Sequence, residues 1–350
     1  MTPELTLQPP RSARLNWSAL LEAGVPVVAL ILIVIATAIC ERVKDGTSYF
    51  LTPDNLLNVI RMQAPVGVVA IGMTFAIIVG GIDLSVGSMV VMAATVGMWL
   101  MKNHKGTNED GDGGRLAIGL LAMIGAGLVA GLLNGLLIAK GRIAPFIATL
   151  GGLAAYRSIA QTIADNGTLA IHNSYLAYVG AHGIRIPFLY NNDRPLEFHY
   201  ASLIFLLVAI VGWIVLNRLR FGRYVYAIGG NERAAIYSAI NVDRVKILTY
   251  TAVGLCSGIA ATLLAARTSS ISSGDTGKLY ELDAIAAVVI GGTRMSGGSG
   301  SIFGTVIGVL ILGVISNMLT FLDIPDTLQG VVKGVIIVGA VLVQRMGRRT

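Results

Sequence analysis

Charge is what this chain has least of: 13% of its 350 residues are Asp, Glu, Lys or Arg, against about 25% in an ordinary soluble domain. Such a chain lacks the solvated side chains that cover a soluble globule. Cysteine is scarce as well. Cys40 and Cys256 both lie in apolar runs, so neither a disulfide framework nor a thiolate metal site is indicated. The four histidines, His104, His172, His182 and His199, fall outside the apolar runs, which argues against an intramembrane metal centre built on imidazole. Gly-Lys-Ser/Thr occurs nowhere, so there is no P-loop, and any ATP that drives this protein sits on another subunit. No nucleophile–base pair or metal-ligand set is visible. The chain reads as no enzyme, with no catalytic residue, no metal and no cofactor of its own.

What is present is apolar: 54% of residues are hydrophobic and 43 are glycine, the composition of a polytopic helical membrane protein whose helices pack closely. The formal charge of +7 does not call for nucleic acid, since membrane proteins gather Lys and Arg on cytoplasmic loops. Residues 1–18 read as a polar cytoplasmic tail. The first apolar run, Ala19–Cys40, contains Ala36-Thr37-Ala38, which resembles a signal-peptide cleavage site; nine further apolar segments and the preceding basic residues favour a membrane span. Further spans are expected over 54–79, kinked at Arg61 and Pro65, and over Val86–Met101, Leu116–Ala139, Ile143–Ala164, Ala201–Leu216, Ile247–Ala266, Ile302–Leu319 and about Leu328–Val343.

Leu282–Ile290 has only nine residues, too few for a straight crossing of about 30 Å; it either re-enters or is lengthened by its flanks. Counting it, the expected fold is an all-α bundle of about ten transmembrane segments over 19–343, with two Gly-rich broken-helix junctions. Both termini, including the basic tail 344–350, are then cytoplasmic. Loops 102–115 and 165–200 lie outside and loop 217–246 inside. The excess of Lys and Arg on the inner side rests mainly on the turn Lys140–Arg142 and on loop 217–246.

The first junction, Gly80-Gly81-Ile82-Asp83-Leu84-Ser85, sets one carboxylate among apolar neighbours between two apolar runs. A carboxylate at membrane depth is costly and faces a bundle interior or watery cavity, and irregular backbone is tolerated there only inside protein or beside water. Two readings stay open: a pathway element, or a loop whose Asp83 caps a helix just outside the hydrocarbon. The second junction begins Gly291-Gly292-Thr293-Arg294-Met295-Ser296. Aligned on their Gly-Gly pairs, the junctions agree at five of nine positions and place Asp83 opposite Arg294. Paired broken segments point to a transporter's pathway, and the two charges suggest a salt bridge; chance likeness of glycine-rich turns is the competing reading. Asn134 is the one strong hydrogen-bonder in Leu116–Ala139, where Gly127, Gly131 and Gly135 line one face suited to close helix contact.

In loop 217–246, Gly229-Gly230 breaks the chain, Asn231 can cap a helix and Glu232 suits its first turn. A short helix Glu232–Ile240, carrying Arg233, Ala234 and Ala235, would fit a partner's groove or lie on lipid headgroups.

These motifs together, GGIDLSVG at 80–87, AIGGNERAAIYSAINVDRVK at 227–246 and LDAIAAVVIGGTRMSGGSGSIFGTVIG at 282–308, resemble the permease subunits of ribose- and xylose-type ABC importers. The likeness runs over about residues 50–345. It implies a permease homodimer in a bacterial inner membrane, with ATP-binding subunits inside and a sugar-binding protein outside, working by alternating access. By that resemblance Gly230, Asn231, Glu232, Arg233, Ala234 and Ala235 belong to the loop that seats in the ATPase. The sugar path is implied near Gly80, Gly81, Ile82, Asp83, Leu84 and Ser85, with Asn134, and near Gly291, Gly292, Arg294 and Ser296. The outer loops look longer than usual for this family. Nucleoside and branched-chain amino-acid permeases of the same superfamily are rivals. So is an ion-coupled secondary transporter, although that usually needs a carboxylate relay, and Asp83 stands nearly alone.

Overall fold

A computed structural model describes residues 17–45, 49–103, 113–191, 194–325, 328–332, 334 and 335. The expected tails apart from residues 17 and 18, residues 104–112 of the first outer loop, and residues 333 and 336–343 of the last span lie outside these residues. In chain order the elements are α1 (Trp17–Asp45), α2 (Pro53–Ile78), α3 (Val86–Asn103), α4 (Gly113–Ala139), α5 (Pro145–Ile163), β1 (Thr168–Ala170), α6 (Ser174–Ala181), β2 (Gly183–Asn191) and β3 (Arg194–His199). There follow α7 (Tyr200–Arg218), α8 (Arg220–Gly230), α9 (Glu232–Tyr237), α10 (Val242–Thr268), β4 (Ser270–Ser272), α11 (Tyr280–Ile290) and α12 (Ile302–Phe321). Six of these helices are long and apolar enough to cross a bilayer: α1 over Pro26–Val43, α2, α4, α7, α10 and α12. The chain is a mostly helical, multi-pass membrane protein.

Local chemistry sets the helix starts. Thr52 accepts from the Asn55 amide ahead of α2, with Pro53 in the first turn, and Pro145 opens α5. Asn173, Asn231, Asn241 and Ser301 cap α6, α9, α10 and α12 in the same way. α2 stays one continuous helix through Pro65. Glu41, near the end of α1, accepts from the backbone N–H groups of Tyr49 and Phe50 and so fixes α1 to the start of α2.

The most extensive helix contact in the bundle is that between α4 and α10. A side chain at Gly127 would collide with the Gly254 carbonyl, and one at Gly131 with the Tyr250 carbonyl. At Gly135 it would meet the Ile247 backbone at 2.9 Å, and at Gly254 the Gly127 carbonyl. The expected glycine face on α4 therefore meets a second glycine face on α10, antiparallel, with backbone against backbone. α2, α3 and α5 pack around this pair.

The two ends of the bundle differ. One, the hairpin end, holds α6, the antiparallel hairpin β2–β3 and the short pairing of β1 with β4. There Arg61 of α2 donates to the Gly180 carbonyl and lies 3.2 Å from His199 Nε2. Burial, and then the Arg61 guanidinium, hold His199 below the ordinary histidine range. The other, the glycine end, gathers the C-termini of α2, α4 and α11 with α8 and α9. The region 165–200, expected as loop, is thus largely structured, and α8 forms within the stretch read as loop 217–246.

Two predictions follow from this packing. Gly131→Val forces α4 off α10 and destabilises the fold by about 1–3 kcal/mol or more, whereas Gly125→Ala, at a position open to space, leaves thermal unfolding in detergent unchanged. For His199 the neutral form is favoured in the folded state, so its contribution to stability is full above pH ~6.5 and lost as pH falls through the lowered folded value. His199→Gln flattens that acid limb of the stability profile.

Candidate functional site

α2 ends in a tight cap. Gly80 N donates to the Ile77 carbonyl and Gly81 N to the Ala76 carbonyl, both at 2.9 Å, with Gly80 at φ 93°. That is the Schellman arrangement, which glycine adopts without penalty. α11 ends identically: Gly292 N donates to Val289 O, Thr293 N to Val288 O, and Gly292 stands at φ 91°. The structural equivalence is therefore Gly80 with Gly292, one residue away from the alignment of the two Gly-Gly pairs. In this register Asp83 corresponds to Met295, not Arg294. The salt bridge suggested by the other alignment is replaced by different partners: Asp83 is fully buried and held by Ser85 and Asn134, while Arg294 is exposed.

Beyond Gly81 the chain runs extended into the bundle before α3 begins. Gly81 must be small because a side chain there would collide with the Tyr250 hydroxyl. Asp83 Oδ1 accepts from the Ser85 amide at 2.9 Å and the Ser85 hydroxyl at 2.6 Å; Oδ2 accepts from Asn134 Nδ2 at 3.3 Å. Asn134 Nδ2 also donates to Ser85 Oγ at 2.8 Å, and the Tyr156 hydroxyl donates to Asn134 Oδ1 at 2.9 Å. Ser85 and Asn134 thus donate to the carboxylate, and Tyr156, whose hydroxyl also lies 3.1 Å from the Ala130 carbonyl, supports Asn134 from behind. Asp83, Ser85 and Asn134 are inaccessible to solvent. Unpaired, such groups would each cost several kcal/mol in an apolar interior, so mutual pairing is what makes this cluster tolerable. It clasps the start of α3 to α4 and α5, a role for which Asp83 need not touch any transported molecule.

The other candidates are placed elsewhere. Ile82 and Leu84 are half-buried, and the Thr149 hydroxyl of α5 lies 3.4 Å from the Ile82 carbonyl. Gly80, Gly292, Arg294 and Ser296 are exposed at the glycine end, and Gly291 is buried against the Gly304 carbonyl. Of the loop residues, Gly230, Asn231, Arg233 and Ala234 are exposed, Glu232 is half-buried and Ala235 is buried. Asn231 Oδ1 accepts from Ala234 N at 3.0 Å. Glu232 pairs with Lys246 Nζ at 2.8 Å, fixing α9 to α10. α9 is shorter than expected because the chain turns through Ala239 at φ 58°.

Sequence reasoning missed the partners across the bundle. Tyr156 and Tyr250 carried no local signal. Arg157 stands about 18 Å along α5 from Pro145 and donates to the carbonyls of Ser273 and Thr276 at 3.3 and 2.7 Å. It thereby holds the hydroxyl-rich segment that follows β4 inside the bundle. Any side chain at Gly87 would collide with the Gly277 carbonyl and come within 2.6 Å of Glu281 Oε2. The N-termini of α3 and α11 thus meet inside the protein with the Glu281 carboxylate between them, a favourable place for an anion at two positive helix ends. α11, at about 16 Å, spans only part of the bundle.

A helical bundle with two matching caps, broken helices meeting in its interior and a polar cluster at depth has the build of a membrane permease. The family described as the branched-chain amino acid transport system permease component matches residues 55–341, and the chain belongs to that family. Its similarity to the ribose import permease protein of Bacillus subtilis is 38% identity over 333 residues, covering 95% of each chain. The ribose import permease of Escherichia coli K12 is 35% identical, over 90% of this chain and 92% of the relative. The xylose transport system permease protein of the same strain is 32% identical, over 99% and 98%. No solved structure matches the chain.

The clasp gives a prediction. Asn134→Leu removes an acceptor from Tyr156 and a donor from Asp83, and lowers stability by about 2–4 kcal/mol. Tyr156→Phe removes only the outermost link and costs about 1 kcal/mol. Thermal unfolding of the purified variants in one detergent gives the order.

Proposed function

We propose that this chain is the membrane-spanning permease subunit of an ATP-driven importer for a monosaccharide. The observation that carries this reading is the likeness, over nearly the whole chain, to permeases for ribose and xylose. A D-allose permease, 35% identical over 85% of this chain, widens the range to a third neutral sugar. Which sugar is carried rests with a separate binding protein as well as with this chain.

In this reading the glycine end faces the cytoplasm and the hairpin end faces outward, where the binding protein docks. α3, α5, α11 and the segment near 328–343 join the six long helices to make ten passages, α11 and α3 being completed by the extended stretches that precede them. Both termini are then cytoplasmic. Two copies of the chain flank the path. α9 is the part that meets the ATPase: Tyr237 is 90% exposed and Ile236 55% exposed, beside a groove of about 360 Å³ lined by Phe221, Tyr224, Ile240, Asn241, Arg244 and Leu248. Closure of the ATPases on ATP draws the two α9 helices together, and the bundle opens to the outside as the binding protein releases its sugar. A neutral sugar needs hydroxyls, amides and carbonyls along its way rather than fixed charge. The ionisable side chains in the interior of this bundle are already engaged, Asp83 with Ser85 and Asn134 and Arg157 with backbone carbonyls.

Reconstitution with the ATPase and the binding protein tests the reading. Uptake requires ATP and persists with an ionophore; uptake by this chain alone, abolished by the ionophore, would make it an ion-coupled carrier. Glu232→Ala, which frees Lys246 and lets α9 tilt, weakens copurification of the ATPase while membrane insertion stays normal. Unchanged copurification would show that Glu232 serves only the fold.

A further inference from the structure

Three glycine-containing stretches meet at the glycine end, from α2, α8 and the loop between α11 and α12. Gly298 N donates to the Ile78 carbonyl at 2.9 Å, so an amide of the second loop satisfies one of the last carbonyls of α2. α8 lies directly over this bond. A side chain at Gly229 would collide with the Ile78 carbonyl and come within 2.6 Å of Gly298 N. One at Gly297 would stand 3.0 Å from the Gly229 carbonyl and 3.2 Å from Gly80 Cα, and one at Gly298 2.9 Å from Gly230. Across this backbone-on-backbone contact α8 adds one directional link: the Tyr226 hydroxyl donates to the Gly300 carbonyl at 2.7 Å. Tyr226 lies one turn before Gly230, and Asn231, the cap of α9, follows at once.

From this arrangement, and resting on the function proposed above, we infer that Tyr226 is a positioning residue for transport. It locks α8 to the loop after α11, so that a displacement of α9 moves the C-terminus of α2 and the α11–α12 turn as one body. The two Schellman caps then travel together instead of bending separately. The half-buried ring of Tyr226 packs against the hydrophobic core, and Tyr226→Phe keeps that packing while deleting the hydroxyl alone. Gly125 on α4, away from this contact and where an added Cβ meets nothing within 4 Å, is the control.

The test is the amount of sugar imported per ATP hydrolysed by the complete complex in proteoliposomes. Tyr226→Phe leaves assembly and basal ATP hydrolysis as in the natural chain but lowers the ratio about fivefold, as expected from one lost hydrogen bond in the coupling. Gly125→Ala leaves the ratio unchanged. An unaltered ratio in Tyr226→Phe overturns the inference while leaving the proposed function standing; absence of ATP-dependent uptake with the natural chain removes both. A second measurement needs no variant: hydrogen exchange of the 296–300 segment in the complex with and without nucleotide. Protection of the Gly298 amide that is the same in both states supports a single moving body, and protection lost in one state refutes it.

Discussion

Close approach of α4 and α10 is the constraint on which the rest of this structure depends. Lipid tails are as apolar as leucine, so burial of apolar surface cannot hold these helices together as it would in water. Dispersion at short range does so instead, and that requires both backbones to be bare along the seam. Gly127, Gly131 and Gly135 provide this on one helix, Gly254 and Gly258 on the other. The seam fixes more than two helices. Asn134 sits beside Gly135 and aims at Asp83; Tyr250, whose carbonyl lies over Gly131, puts its hydroxyl against Gly81. The first junction is thus shaped by its own cap and placed in the bundle by residues of the seam.

The second principle is polar economy. The interior carries a carboxylate, an amide and hydroxyls, yet they are arranged as donors and acceptors for one another and for backbone. Asp83 fastens the start of α3, Arg157 fastens the segment before α11, and Glu281 lies between two helix N-termini. Each of these charges replaces a stretch of regular helix that the chain has given up. Broken helices leave backbone groups without partners in a medium that offers none, and the charged side chains stand beside those breaks. The charge at these breaks is therefore architectural.

Much of this was legible in the sequence where the cause was local. The glycine face of α4, the cap by Asn231, the break at Gly80-Gly81, and the long apolar helices all rest on neighbours within a turn or two. The equivalence of the junctions was visible but misplaced by one residue, because identical letters at Gly80-Gly81 and Gly291-Gly292 hide which glycine takes the left-handed conformation; only the hydrogen bonds at the helix ends decide it. α8 was within reach: Phe221, Val225 and Ile228 recur at helical spacing, but the basic residues among them read as loop. The hairpin β2–β3 and the partners of Arg157 were not legible. They are set by contacts with distant parts of the chain, such as Arg157 with Ser273 and Thr276, and no local pattern encodes them.

Glycine has no smaller neighbour among the amino acids, and this gives the seam an evolutionary consequence. In an ordinary core an enlarged side chain can be accommodated when its partner shrinks, so two positions drift together over generations. Where Gly131 lies on Gly254 there is nothing left to shrink. Mutational rescue from across the interface is closed, and divergence on this helix falls to exposed positions such as Leu132 and Leu133.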